Sequence, residues 1–258
     1  MADEDVRSDR PAPGVLRLTL DRPHAHNAIS IAMQRQVDAL LSDAAADDSV
    51  RVVVLAGAGD QAFCAGYDLK ELAAMTPRDA AASMAERDEL LWRYLSFPKP
   101  TVAAVDGMAY GAGTLYAACS DLRVGGPNTS MAVSAAKYGG VNLTWLLDTL
   151  IGAARARDML MTARAVPGRE AYAMGLLTRY DAEVSTAALR TAEDIAAQPP
   201  DGLRHIKHLL LAGPGRTLRS RYDHETSVVR AALGQRPVTE MFSTFFSAGA
   251  ASKTRGDS

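Results

Sequence analysis

The chain has 258 residues and a mass of 27.4 kDa, which is enough for one large domain or two small ones. Hydrophobic residues make up 48% and charged residues 22%, and the net charge of −2 excludes recruitment of nucleic acid or a membrane surface by bulk charge. The two cysteines exclude a disulfide scaffold; with no recognisable signal peptide and no apolar run of about 18 residues, we expect a reduced, cytoplasmic protein.

The first part of the chain alternates predicted strands and helices. Residues 1–13 carry charges and two prolines without periodicity, so we expect a flexible terminus. Residues 14–20 alternate apolar and polar side chains, which is typical of a half-buried strand, whereas the β-branched run at 50–55 indicates a fully buried one. Between them, residues 29–41 have helical spacing, with Ser30 as a candidate N-cap.

Two more strands follow, and helices dominate the later part of the chain. Strands are predicted at 101–105 and 122–124, and helices at 79–95, 114–119, 151–162, 169–174, 187–197, 203–211 and 220–233. This order predicts an α/β core over residues 14–190 and a helical C-terminal region over 191–247. We expect the small, polar tail at 248–258 to be flexible.

Two glycine-bearing turns are the most informative features. CAGYDLKEL (64–72) and DGMAYGAG (106–113) each follow a buried strand and each open a predicted helix. Glycine lets two backbones approach closely, and a helix N-terminus leaves free N–H groups with a partial positive charge. Two such turns side by side can direct two N–H groups at one developing oxyanion. The alternative is that the small residues only permit close packing of helices on a sheet.

At these turns the sequence resembles the crotonase (enoyl-CoA hydratase/isomerase) superfamily. The resemblance extends from about residue 14 to 240 and includes LDRPHAHNAIS, KPTVAAVDG, SDLRV, IGAARARDMLMTAR and EAYAMGLL. It implies a ββα spiral core, a helical C-terminal trimerisation region and coenzyme A thioester ligands. Coenzyme A would enter as part of the substrate, with no permanently bound cofactor. His205 and His208 lack the further ligands that a metal requires, so no metal site is expected.

The resemblance also implies roles for individual residues. The two oxyanion-hole N–H groups would belong to Tyr67 and Ala112. The acyl-CoA-contacting segment would include Ala65, Asp68, Leu69 and Lys70, and the loop along the nucleotide half of coenzyme A would include His24, Ala25 and His26. Asp68 begins a helix and is more typical of a helix cap than of a catalytic acid.

The two glutamates of the family's hydratases have no counterpart here. Their positions fall on Leu115 and Ala135, which cannot carry a proton. Candidate replacements are Tyr67, Tyr110, Tyr116 and Tyr138, because a phenol with a lowered pKa can transfer a proton. For each tyrosine, the alternative is a packing aromatic ring whose hydroxyl finds a partner.

Two function classes remain open. The first is an enzyme that stabilises a thioester enolate, with decarboxylation, isomerisation or hydrolysis favoured over hydration. The second is a protein that binds acyl-CoA without turning it over; a hydratase with substitute acid and base residues is a further alternative. In either case the resemblance implies a homotrimer or a dimer of trimers.

Overall fold

A computed structural model describes residues 5–212, 217–233, 237–241 and 243. Its strands are β1 (Val6–Ala12), β2 (Val15–Leu20), β3 (Val52–Gly57), β4 (Ala62–Cys64), β5 (Thr101–Val105), β6 (Met108–Tyr110), β7 (Leu122–Gly125), β8 (Ser130–Ala132), β9 (Val166–Pro167) and β10 (Arg179–Tyr180). Its helices are α1 (Ile31–Ala46), α2 (Leu69–Ala73), α3 (Pro77–Leu95), α4 (Ala112–Cys119), α5 (Leu147–Ile151), α6 (Ala153–Thr162), α7 (Gly168–Ala173), α8 (Val184–Ala196), α9 (Pro200–Ala212), α10 (Leu218–Leu233) and α11 (Val238–Met241). The predicted α/β core followed by helices is confirmed.

The larger sheet has six strands in the order β1-β2-β3-β5-β7-β10. All neighbours in it are parallel except β1 and β2. Both faces of the central strands are buried: alternate side chains such as Val52 and Val54 pack against α8, while Val53 and Leu55 join the main core with α1, α3 and α4. Burial on both faces explains why β3 reads as a continuous apolar run.

The N-terminal segment corrects one prediction. Residues 6–12 form the edge strand β1, paired antiparallel with β2 from Val6 opposite Leu20 to Ala12 opposite Val15. An edge strand tolerates charged residues and proline because one side of its backbone faces solvent. Because these residues lack the apolar alternation of a strand, the sequence did not predict β1. The predicted flexible tail at 248–258 lies outside the described residues.

The smaller sheet, with the order β4-β6-β8-β9, was not predicted. Its strands have only two or three residues, too few to show a period. Since β4 and β6 are parallel neighbours, their carboxyl ends meet at one edge of this sheet. The turns at 65–68 and at Gly111 leave from that edge, so the sheet places the two glycine-bearing turns side by side.

The C-terminal helices close over the core. Helix α10 packs against α3, so it covers this chain's own core. The predicted boundary between residues 190 and 191 falls inside α8, which packs on the larger sheet. The assignment of an oligomerisation region stays a prediction. Among the described residues, no helix is both long and apolar enough to cross a membrane.

Candidate active site

A cavity of about 790 Å³ lies where the two glycine-bearing turns meet α3 and α10. All eleven residues predicted for the site line it. They are Tyr67, Tyr110, Ala112 and Tyr138 of the predicted catalytic set, and His24, Ala25, His26, Ala65, Asp68, Leu69 and Lys70 of the predicted coenzyme A set. The exposed side chains of His24, His26 and Lys70 mark where the cavity opens to solvent. The structure brings these residues together, and their individual roles stay predictions.

The two turns are in direct backbone contact. Gly66 has a φ of +119°, and a Cβ atom at this position would lie 3.2 Å from the Tyr110 carbonyl oxygen and 3.6 Å from the Ala112 nitrogen. A side chain would therefore wedge the turns apart and strain the backbone. Glycine at position 66 is what allows the approach.

Hydrogen bonds hold the backbone on both sides of this contact. The Ile29 amide donates to the Gly66 carbonyl at 2.8 Å, and the Asp68 amide donates to the Ile29 carbonyl at 3.0 Å. The Gly111 amide donates to the Ala132 carbonyl at 2.9 Å. In the described part of the chain, by contrast, the Tyr67 and Ala112 amides have no acceptor. Tyr67 and Ala112 both line the cavity, so both amides belong to its wall.

Asp68 is a helix cap, as predicted. Its Oδ1 accepts hydrogen bonds from the Lys70 and Glu71 amides at 3.1 and 3.3 Å, and its Oδ2 accepts one from Arg22 at 3.0 Å. Burial raises the pKa of Asp68, but the hydrogen bonds from Glu71, Arg22 and Lys70 outweigh it and leave the pKa below its usual value. This carboxylate is therefore ionised and fully engaged.

The loop that carries His24 and His26 is fastened to the first turn. The Ala65 amide donates to the His26 carbonyl at 3.0 Å. Next to His26, the buried Asn27 side-chain amide donates to the carbonyls of Ala58 and Ala62 at 2.9 and 2.7 Å. Both His26 and Asn27 have a positive φ, which the surrounding hydrogen bonds maintain. The loop thus has a fixed position at the mouth of the cavity.

The Tyr67 ring packs against a buried cation. The Arg87 guanidinium lies 4.7 Å from the ring centre, is completely buried and forms an ion pair with Glu71. Burial is the main reason that the pKa of Tyr67 lies above its usual value. The pKa of Tyr67 is therefore raised, in contrast to the expected lowered value, and its ring lines the cavity; a role of its hydroxyl in proton transfer stays a prediction.

Tyr110 and Tyr138 also line the cavity. The Tyr110 hydroxyl is 3.1 Å from Ser130 Oγ, and Tyr138 ends the short 3₁₀ turn Ala135–Tyr138. Leu115 and Ala135, to which the resemblance assigned the glutamate positions, both line the cavity with apolar side chains.

Groups outside the cavity explain other sequence features. The Cys64 thiol is buried, which raises its pKa to about 12 and leaves it unreactive. Lys207 is buried, and its Nζ lies 2.8 Å from Asp121 Oδ2. Among the described residues, no group of three or more potential ligands is placed to hold a metal.

The sequence analysis missed several lining residues on α3, α10 and the segment before α5. These are Met84, Asp88, Leu91, Trp145, Tyr222, Thr226 and Val229. Asp88 is the important omission, because Asp68 and Asp88 are the only carboxylates among the described lining residues. An aspartate in a charged helix is normally exposed to solvent. The sequence around Asp88 therefore gave no indication that it lines the cavity.

Comparisons with known proteins agree with this arrangement. The enoyl-CoA hydratase/isomerase family model matches residues 11–248. An enoyl-CoA isomerase/hydratase of Zymoseptoria tritici is 36% identical over 185 residues, which cover 67% of this chain and 59% of that protein. The 1,2-epoxyphenylacetyl-CoA isomerase of Escherichia coli is 30% identical over 228 residues, which cover 85% of this chain and 87% of that protein.

Solved structures show the same fold. The structure of OdaA from Pseudomonas aeruginosa superimposes with a TM-score of 0.82 at 30% identity, covering 94% of this chain and 99% of that one. The expected spiral core is thereby confirmed. The family match over most of the chain, the fold and the paired turns lead to one conclusion: the chain belongs to the enoyl-CoA hydratase/isomerase family of enzymes, in the crotonase superfamily.

Proposed function

We propose that this enzyme binds an acyl-CoA thioester and stabilises its enolate with the Tyr67 and Ala112 amides. The observation that carries the proposal is the pair of acceptorless N–H groups on two touching turns of one cavity wall. Both donors belong to fixed backbone, so they need no reorganisation when charge develops on the thioester oxygen. Each such donor contributes on the order of 3 kcal/mol to the stability of the transition state.

The mouth of the cavity suits the nucleotide half of coenzyme A. Arg22, His24, His26 and Lys70 line it, and the last three are exposed. A cation at such a site attracts phosphate, and a histidine does so more strongly once protonated. The acyl group would then occupy the apolar end, walled by Leu72, Leu91, Leu115 and Val133.

Hydration is the least suitable reaction for this cavity. Addition of water across a double bond by the family's route requires two carboxylates, whereas Leu115 and Ala135 are apolar. Isomerisation, decarboxylation and thioester hydrolysis all pass through an oxyanion and place smaller demands on acid and base groups. We therefore propose one of these reactions, with isomerisation favoured by the carboxylate at position 88.

We also propose that the protein assembles as a homotrimer or a dimer of trimers. Helix α9 exposes Ile206, Leu209 and Leu210, which are 57%, 69% and 74% accessible. Such adjacent apolar side chains on one surface helix are typical of an interface.

The function is tested by mass spectrometry of coenzyme A thioesters incubated with the protein in D2O. The panel contains saturated, 2-enoyl, 3-enoyl, 3-hydroxy, 3-oxo and malonyl-type esters. We expect deuterium at the α-carbon of at least one ester, or loss of carbon dioxide or of free coenzyme A from it. Tight binding of every ester with no change in mass would replace the enzyme with a binding protein, and water addition would contradict the exclusion of hydration.

A further inference from the structure

We propose that Arg123 is a positioning residue of the oxyanion site, because its buried guanidinium caps the end of α4 opposite to the Ala112 amide. The inference rests on the proposed function and extends it to a side chain outside the cavity. Arg123 belongs to β7 of the larger sheet, is 4% exposed and is not among the described residues that line the cavity. It can therefore act on the site only through the helix that it contacts.

Arg123 supplies the donors that the C-terminal end of α4 needs. The last carbonyl groups of a helix have no partner within it, and every residue of α4 is buried, so water does not satisfy them. Arg123 Nη1 donates to the Ser120 carbonyl at 2.5 Å and to the carbonyls of Ala118 and Ala117 at 3.3 and 3.4 Å. Its Nε donates to the Leu176 carbonyl at 2.6 Å. One side chain thus ties the end of α4 to the segment before β10.

The charge of Arg123 is directed at the helix and not at a carboxylate. In the described part of the chain, every hydrogen bond from its guanidinium goes to a backbone carbonyl. The carboxylate of Asp121, two residues earlier, instead binds Lys207 Nζ and the Thr101 amide, both at 2.8 Å. The C-terminal end of a helix dipole is negative, so a cation placed there stabilises the helix. Arg123 therefore complements α4 in charge as well as in hydrogen bonding.

Helix α4 transmits this anchoring to the cavity. Near its start, the Thr114 hydroxyl donates to the Ala132 carbonyl on β8 at 2.9 Å, so the helix is held at both ends. A fixed donor needs no reorganisation when charge develops on the substrate, which is the condition for stabilising an oxyanion. The eight residues of α4 span about 12 Å at roughly 1.5 Å per residue. A positive charge at about that distance favours a negative transition state by about tenfold in rate.

The test compares Arg123→Gln with Lys99→Gln. Lys99 is the matched control, because its buried Nζ donates to the Ala44 and Asp47 carbonyls at 2.7 Å and so caps α1, which carries neither proposed donor. The probe is butanoyl-CoA with a ¹³C-labelled carbonyl, whose stretching frequency falls when hydrogen bonds polarise it. Difference infrared spectra of the free and bound ester are recorded with the thermal unfolding midpoint, and kcat and KM are measured for an ester that the wild-type protein converts.

We expect the wild-type protein and Lys99→Gln to lower the carbonyl frequency equally, and Arg123→Gln to lose part of this shift. The kcat of Arg123→Gln should fall about tenfold with KM unchanged, because the loss affects the transition state and not the binding of coenzyme A. Arg123→Lys should lie between the two, since it keeps the cation but loses the planar fork that reaches Leu176 and α4 together.

The outcomes separate this inference from the proposed function. If the wild-type protein does not bind the ester or leaves its carbonyl frequency unchanged, the proposed function fails. If the wild-type protein shifts the frequency and Arg123→Gln does so equally, or if Lys99→Gln shares the loss, the role of Arg123 is overturned. Should the glutamine variant not fold, Arg123→Lys decides. A folded lysine variant with a reduced shift supports the role, and one with the wild-type shift and kcat contradicts it.

Discussion

At the scale of single residues, the site depends on glycine, because a Cβ atom at such a position would collide with neighbouring backbone. A Cβ atom on Gly113 would lie 2.1 Å from the Cys64 carbonyl oxygen, well inside any allowed contact. The first helical turn of α4 therefore packs directly on β4. This contact brings the Ala112 amide next to the glycine-bearing turn at 65–68. Glycine here sets the distance between two structural elements.

We predict that Gly113→Ala lowers the free energy of unfolding by roughly 2 kcal/mol or more, because backbone must shift to admit the methyl group. Gly202→Ala is the matched control. It lies within α9, and its added Cβ would have no neighbour within 4 Å. The control should leave stability unchanged or raise it by up to about 1 kcal/mol. Urea unfolding measures both, and equal effects would contradict the proposed packing.

Buried acidic groups predict a loss of stability in alkali. Burial raises the pKa of Cys64 to about 12 and raises those of Tyr67 and Tyr94 above their usual values. These groups ionise more easily when unfolded, so stability is complete below about pH 8.5 and falls as the pH rises through 9 to 12. Lys99, whose pKa burial lowers, acts in the opposite direction but is one group against five, because burial also raises the pKa values of Tyr116 and Tyr222. Urea midpoints at pH 7 and about pH 10 should differ accordingly; an unchanged midpoint would contradict this account.

Sequence reasoning located the turns because each is one short continuous motif. The eleven predicted residues fall in four short segments around positions 24–26, 65–70, 110–112 and 138, and the fold needs only to bring these segments together. Asp88 escaped prediction because only tertiary packing shows which side of α3 faces the cavity. The tyrosine pKa values likewise depend on burial, which the sequence does not display.

At the scale of elements, Arg87 links α1, α2 and α3 behind the glycine-bearing turn at 65–68. Arg87 on α3 pairs with Glu71 on α2 and donates to the Ile29 carbonyl at 3.3 Å just before α1. Glu71 in turn accepts from the Ile31 amide at 3.0 Å, and Gln34 on α1 donates to the Arg87 carbonyl at 2.9 Å. This buried network fixes the support of the Tyr67 backbone.

We predict that Arg87→Ala lowers the free energy of unfolding by about 3 kcal/mol, because it removes the cation that the Glu71 carboxylate is paired with. The control is Arg93→Ala on the same helix. Its ion pair with Asp38 has a side-chain exposure of 60% at the arginine, so it should change stability by less than about 1 kcal/mol. Similar losses in both variants, measured by urea unfolding, would show that the buried network has no special role.

The elements differ in how well the sequence predicts them. Long helices and a buried strand, predicted at 50–55 and found at 52–57, were expected because periodicity and β-branching extend over many residues. The capping role of Ser30 is confirmed by the hydrogen bond of 3.1 Å from the Met33 amide. The smaller sheet was missed, although it sets the spacing of the turns, because pairing between three-residue strands is decided by the whole fold.

At the scale of the whole molecule, α10 and α9 differ in how much of their apolar surface the chain itself covers. Helix α10 closes the chain's own cavity through Tyr222, Thr226 and Val229, while α9 leaves Leu209 and Leu210 exposed. Because α10 covers the chain's own cavity, the exposed apolar side chains of α9 remain available for the proposed assembly with other copies of the chain. The proposed oligomer follows from this division.

We predict that the protein sediments as a trimer or hexamer of the 27.4 kDa chain. Leu210→Glu should shift it toward the monomer, because burying a charge in an apolar interface is costly. His205→Glu, which also adds an acidic group to the exposed surface of α9, should have a smaller effect. A monomeric wild-type protein, or identical sedimentation of both variants, would remove the proposed role of α9.

The most direct measurement of the central claim compares Ala112→Pro with Ala112→Val in the thioester conversion assay. Ala112 is the first residue of α4, a position that accepts proline without breaking the helix, so proline deletes one proposed donor. Valine adds similar bulk and keeps the N–H group. The account predicts that kcat falls about 100- to 1000-fold further in the proline variant than in the valine variant. Equal activity of the two would mean that the Ala112 amide does not stabilise the oxyanion.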